Sequence, residues 1–168
     1  MKVRIAITSL VCAVSALAFA SLMTTWSTNG SGTVRNAAGR QGAFRVEAAK
    51  RVHNNTTPQI HGIFVLEFPS TVNTGGERLA LEVREYVQDG NTSRVAGPAV
   101  WRVQTPTGPH EFHGLAHARF TSNRHPDEPS LAPDTLEVHF EMEKGNITFD
   151  FGGAVVRGDI TVAKTESY

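Results

Sequence analysis

The sequence predicts an all-β domain, an antiparallel β-sandwich or a flattened closed barrel of eight or nine strands. Three observations point there. Apolar and polar residues alternate with a period of two along most of the chain after residue 30, the pattern of strands wetted on one face only. Turn steps rich in glycine and asparagine, such as Asp89-Gly90-Asn91 and Glu143-Lys144-Gly145-Asn146, separate the alternating runs; these residues reach positive φ at low cost, as tight hairpins require. No window carries a convincing 3.6-residue apolar period, so nothing serves as a helical crossover and the strands must pair antiparallel.

The chain opens Met1-Lys2-Val3-Arg4, continues without charge from Ile5 to Ala20, and closes that run with Ala18-Phe19-Ala20. Small residues stand where a signal peptidase reads, so residues 1–20 are expected to be a secretory signal peptide. Extended to Met23, the run approaches the roughly 20 residues that span a bilayer, and an uncleaved, membrane-tethering segment is the alternative. Ser15 and the many alanines dilute its hydrophobicity, which favours cleavage after Ala20. Cys12 follows Ser9-Leu10-Val11, without the small residue that a lipoprotein signal places before its cysteine. Residues 21–29, mostly Ser, Thr and Asn, read as a linker, and 30–168 as one all-β domain.

Within that domain Phe44, Val46 and Ala48 line one face of the first clear strand. Ile60, Phe64, Leu66 and Phe68 follow across Gly62, then Leu79, Leu81, Val83 and Val87, with Glu82, Arg84 and Tyr86 on the opposite side. Val95, Ala99, Trp101 and Val103 form the next face, interrupted by Gly97; Pro98 lacks an amide proton, so its strand is expected to be an edge or to bulge there. Phe112, Ala116, Ala118 and Phe120 continue the series, then Leu136, Val138, Phe140 and Met142. Ile147, Phe149 and Phe151 precede a Gly152-Gly153 turn, and Val156, Ile160 and Val162 end it. A further short strand over Gly32 to Asn36 brings the count to nine. Gly62, Gly97 and Gly114 fall on the inward parity, where each marks a bulge or a close approach. Thr121 to Pro133 is the longest irregular stretch, polar and proline-rich, a surface loop of the kind that often carries function.

Removing Lys2 and Arg4 leaves 14 basic against 16 acidic residues, a net charge of −2. Such a balance implies neither nucleic acid nor an anionic membrane surface as partner. The remaining 148 or so of the 168 residues contain no cysteine, so stability rests on apolar packing. An exported, disulfide-free domain suits a bacterial envelope better than a eukaryotic secretory route.

Pro109-His110-Glu111-Phe112-His113-Gly114-Leu115-Ala116-His117 raises the question of a metal. A helical zinc motif needs histidines four apart with a glutamate after the first, and position 114 is glycine. His113 and His117 are four apart, but on a strand that spacing is about 13 Å, too far for one ion. Should this strand pair with Leu136 to Met142, His113, His117 and Arg119 would share a face with Glu137, His139 and Glu141. His113, His117 and His139 are then the candidates for zinc, against the plain alternative of a solvated sheet face. Asp127, Glu128 and Asp134 bring calcium chemistry to the long loop without the ligand order of a calcium loop; Asp134 competes as a cap for turn amides. No Gly-x-Ser-x-Gly elbow and no glycine-rich loop leading into a helix accompany them, and no catalytic residue can be assigned.

Gly30-Ser31-Gly32, Ile60 to Phe68 (IHGIFVLEF), Val95 to Val103 (VAGPAVWRV), Gly114 to Phe120 (GLAHARF), Pro133 to Glu141 (PDTLEVHFE) and Gly158 to Val162 (GDITV) resemble small exported bacterial all-β domains of unassigned function. The resemblance implies fold and export, and brings no activity. Where those domains often carry an acidic Asp-Asn-Gly before the Pro-Asp, this chain reads Thr121-Ser122-Asn123-Arg124-His125. Three expectations follow: a non-enzymatic binding or envelope interaction module with a protein or envelope partner, a barrel-type carrier of one small apolar ligand, and a metal protein or hydrolase built on His113, His117 and His139.

Overall fold

The computed structural model describes residues 22–54, 56–70, 75–123 and 132–167. Among them stand nine strands and no helix: β1 (Met23–Arg35), β2 (Gln41–His53), β3 (Gln59–Phe68), β4 (Glu77–Glu82), β5 (Glu85–Asp89), β6 (Thr92–Thr105), β7 (Gly108–Thr121), β8 (Thr135–Met142) and β9 (Thr148–Ser167). Their order is β4-β3-β2-β1-β9-β8-β7-β6-β5, and a further β4–β6 pairing closes the sheet. All ladders are antiparallel. Strands β4 and β5 lie end to end along β6, β5 against Thr92–Ala96 and β4 against Ala99–Val103. The result is an up-and-down barrel of eight staves, one of them broken in two.

That break explains a local departure from the predicted alternation. Leu79, Leu81 and Val83 point inward as expected, but Val87 is 62% exposed and Tyr86 is buried instead. Residues Val83 and Arg84 form the irregular junction between β4 and β5, with the Val83 amide donating to the Gly62 carbonyl and the Arg84 amide to that of Ala96. One odd step in a period-two pattern sends every later side chain to the other face. Gly97 and Pro98 lie opposite this junction, between the two stretches of β6 that have a partner on that side. A Cβ at Gly97 would stand 2.0 Å from the Glu82 carbonyl oxygen, so only glycine lets the junction close onto β6.

A similar slip occurs in β9. Its pairing with β1 shifts register between Thr33 and Val34, which buries Val155 and leaves Val156 outside. Gly152-Gly153, expected as a turn, lies inside this strand. There the strand passes from β8, paired through Ala154, to β1. At Gly153 a Cβ would meet the Arg35 carbonyl oxygen at 2.1 Å; close approach, and no chain reversal, is what the glycine serves. Likewise the segment 21–29, expected as a linker, is strand from Met23 onward. Its Ser and Thr residues pair on both sides, with β2 and β9, and threonine is well suited to such a ladder. Residues 1–20 lie outside the described residues.

The interior is filled by side chains, as the girth of an eight-stranded barrel allows. Phe64, Phe120, Phe140, Leu66, Leu79, Leu81, Leu136 and Ile160 are each less than 2% exposed. Phe64 and Phe120 meet edge to face at 5.2 Å. Trp101 packs against Phe112, Phe140 and Phe149, and Arg40 lays its guanidinium 3.8 Å over Phe68 while pairing with Glu77 at 2.6 Å. The parity slip that turns Tyr86 inward obliges its hydroxyl to find partners. It lies 2.8 Å from the Thr28 hydroxyl and donates to the Gln88 side-chain oxygen at 3.0 Å, while Thr28 donates to Ser93 at 2.6 Å. Burial raises the Tyr86 phenol above its ordinary value of 10.0, and the hydrogen bonds to Thr28 and Ser93 pull partly the other way.

Candidate functional site

Strand registers place two rows of outward side chains across five consecutive strands. One row runs Glu85, Ala96, His117, His139, Asp150; the next runs Val87, Arg94, Arg119, Glu137, Gly152. Neighbours in each row are direct cross-strand partners, about 5 Å apart. Ala96 and Gly152 are small, and longer side chains rise around them. The dent between is a groove of about 750 Å³ lined by these residues together with Val95, Ala118, Val138 and Phe151. Both long chemical patterns of the sequence, the histidine-rich stretch of β7 and the Leu136–Met142 strand, meet here.

In the groove His139 is held in place. Its Nδ1 lies 2.6 Å from Asp150 Oδ1, across the β8–β9 ladder. Its ring tilts against that of His117, with centroids 5.0 Å apart and planes at 32°. His117 itself is exposed and has no hydrogen-bond partner among the described residues. Arg119 and Glu137 face each other at 3.8 Å, a loose surface pair that contributes little to stability.

The sequence-predicted residues separate into three groups. His117 and His139 come together. His113 does not join them: it pairs across to Val100, lies 3.8 Å from Glu111 and lines a different concavity with Pro98 and Glu143. Asp134 is 1% exposed, and its two oxygens accept the amides of Asn123 and Ile160, each at 2.8 Å. Its carboxylate fastens the end of the β7–β8 connection to β9. Asp127 lies outside the described residues, as does most of the Thr121 to Pro133 loop. Among the described residues no three His, Cys, Asp or Glu side chains group to hold a metal ion.

Sequence inspection misses Asp150, Glu85, Ala96 and Gly152. Two-residue hairpins at Gly90-Asn91 and Pro106-Thr107 fix the β5–β6–β7 registers, so Glu85 and Ala96 are recoverable by counting outward from the turns. Nothing comparable marks Asp150. No protein-family model, no curated protein and no solved structure matches this chain.

Proposed function

We propose that the protein is an exported, non-enzymatic binding module that meets a protein or envelope partner through the groove on β5–β9. The observation that carries this is the groove's make-up. Charges of both signs and an exposed valine surround a shallow floor, the mixed polar and apolar chemistry of a recognition surface. A carrier would need space where Phe64, Phe120 and Phe140 stand. Export is supported by the basic start and uncharged run of residues 1–20, and a cut after Ala20 leaves every described strand intact.

A photo-crosslinking residue at Val87, inside the groove, tests the proposal in cells against the same residue at Arg45 on the outer face of β2. A discrete crosslinked partner at position 87, absent at 45, is the expected result. Equal or absent crosslinks at both positions overturn the groove as the contact surface. Intact mass should show a chain beginning at Ser21, and full-length cytosolic protein would overturn export.

A further inference from the structure

We infer that His117 and His139 form a two-nitrogen site for a borderline divalent transition-metal ion, of the zinc or nickel class, on the outer face of the barrel. Three features of the structure lead there independently of the partner proposal. The two residues are direct cross-strand partners, so the backbone holds their rings side by side. Donor nitrogens around a tetrahedral ion with bonds near 2.1 Å stand about 3.4 Å apart, a separation that rings with centroids 5.0 Å apart reach by rotating about their side-chain bonds.

Asp150 supplies the second feature. With its oxygen 2.6 Å from His139 Nδ1, the neutral imidazole carries its proton on Nδ1 and directs that proton to the carboxylate. Nε2 is then the free lone pair. A carboxylate behind a histidine is the usual support of a metal-binding imidazole, fixing the tautomer and raising its basicity. The third feature is His117, whose ring has no hydrogen-bond partner among the described residues and is free to turn either nitrogen toward an ion.

Around the pair, Asp150 and Glu137 carry negative charge, and Glu141 lies diagonally across from His117. Together with Glu85 they offset the two positive charges of the groove, Arg94 and Arg119. Ala96, opposite His117 on its other side, leaves room for water in the remaining coordination positions, or for a donor from a docked partner. Imidazole ligands select zinc, nickel and copper over calcium or magnesium.

Calorimetric titration of the purified chain, prepared without a histidine tag, with zinc and then nickel tests the site. One ion per chain is expected, with the His117 and His139 side-chain resonances shifting in parallel NMR spectra. His117→Ala or His139→Ala should abolish saturable binding. Asp150→Asn, which keeps a hydrogen-bonding group but removes the charge, should weaken it roughly tenfold. His113→Ala should leave it unchanged. All four positions face solvent, and circular dichroism verifies that each variant folds. No saturable binding by the parent chain, or undiminished binding in the His117→Ala, His139→Ala double variant, overturns the inference.

Discussion

Replacing Asp134 with alanine is expected to destabilise the barrel by about 3–4 kcal/mol. Hydrogen bonds to a charged group contribute roughly 1.5–3 kcal/mol each, and Asp134 accepts two, from Asn123 and Ile160. The Ile160 end belongs in the upper part of that range, because Ile160 is buried and its amide would be left without water. The Asn123 end belongs near the bottom, since solvent can replace the acceptor there. The two together come to about 3–4 kcal/mol, net contributions that already include the desolvation of the carboxylate. For a domain of this size 1 kcal/mol moves the thermal midpoint by about 2–4 °C, so scanning calorimetry should show a fall of roughly 6–16 °C. Asp134→Asn keeps one acceptor and should lose about half as much. A fall below about 2 °C for the alanine variant would refute the stitching role. So would a midpoint of the parent protein that rises with millimolar calcium, since the carboxylate would then be a cation ligand.

Tyr86 gives a pH-dependent signature. Its folded ionisation lies above the ordinary 10.0, so the unfolded chain releases this proton first; stability is intact below about pH 10 and declines as pH rises toward the folded value. Urea melts between pH 9 and 11 should show that decline, and Tyr86→Phe should flatten it at a cost near 1 kcal/mol at neutral pH; equal slopes would count against the buried phenol. Phe120→Ala removes a fully buried ring packed edge to face against Phe64 and should cost about 3–5 kcal/mol, read as a lower urea midpoint at unchanged slope. Gly97→Ala places a methyl against the Glu82 carbonyl and should cost about 1–3 kcal/mol or more; a neutral outcome would mean that the β4–β5 junction yields easily.

Most of the fold was legible because alternation reports burial directly, strand by strand. Phe44, Val46 and Ala48, or Leu136, Val138 and Phe140, needed only counting, and all are buried. Alternation is blind where the chain slips by one residue. Nothing in the run from Leu79 to Val87 announces the junction at Val83-Arg84, so Tyr86 and Val87 exchange faces relative to expectation. The information sits in the partner strand instead: Gly97-Pro98 of β6, the two residues least able to continue a ladder, stand opposite the break. Polar strands are likewise misjudged. The Ser- and Thr-rich residues 23–29 resemble a linker by composition, and become a strand because β2 and β9 both offer it hydrogen bonds.

The groove was legible only in halves, for a reason rooted in how register propagates. A two-residue hairpin fixes the alignment of two strands outright, so the row Glu85, Ala96, His117 follows from the turns at Gly90-Asn91 and Pro106-Thr107. Between β7 and β8 the chain travels from Thr121 to Thr135, and a connection of that length leaves the alignment to the packing of Phe120, Leu136 and Phe140 in the core. A shift of two residues would preserve every buried contact class and still set His117 opposite Glu137 or Glu141 in place of His139. The pairing of the two histidines, and with it the chance that Asp150 stands behind one of them, is therefore decided by side-chain fit inside the barrel. Core substitutions near Phe120 should disturb the outer groove even though they never touch it. Ring-current shifts of His117 and His139 in Phe120→Leu offer the direct measurement, and unchanged histidine resonances in that variant would show that the hydrogen-bond ladder alone holds the register.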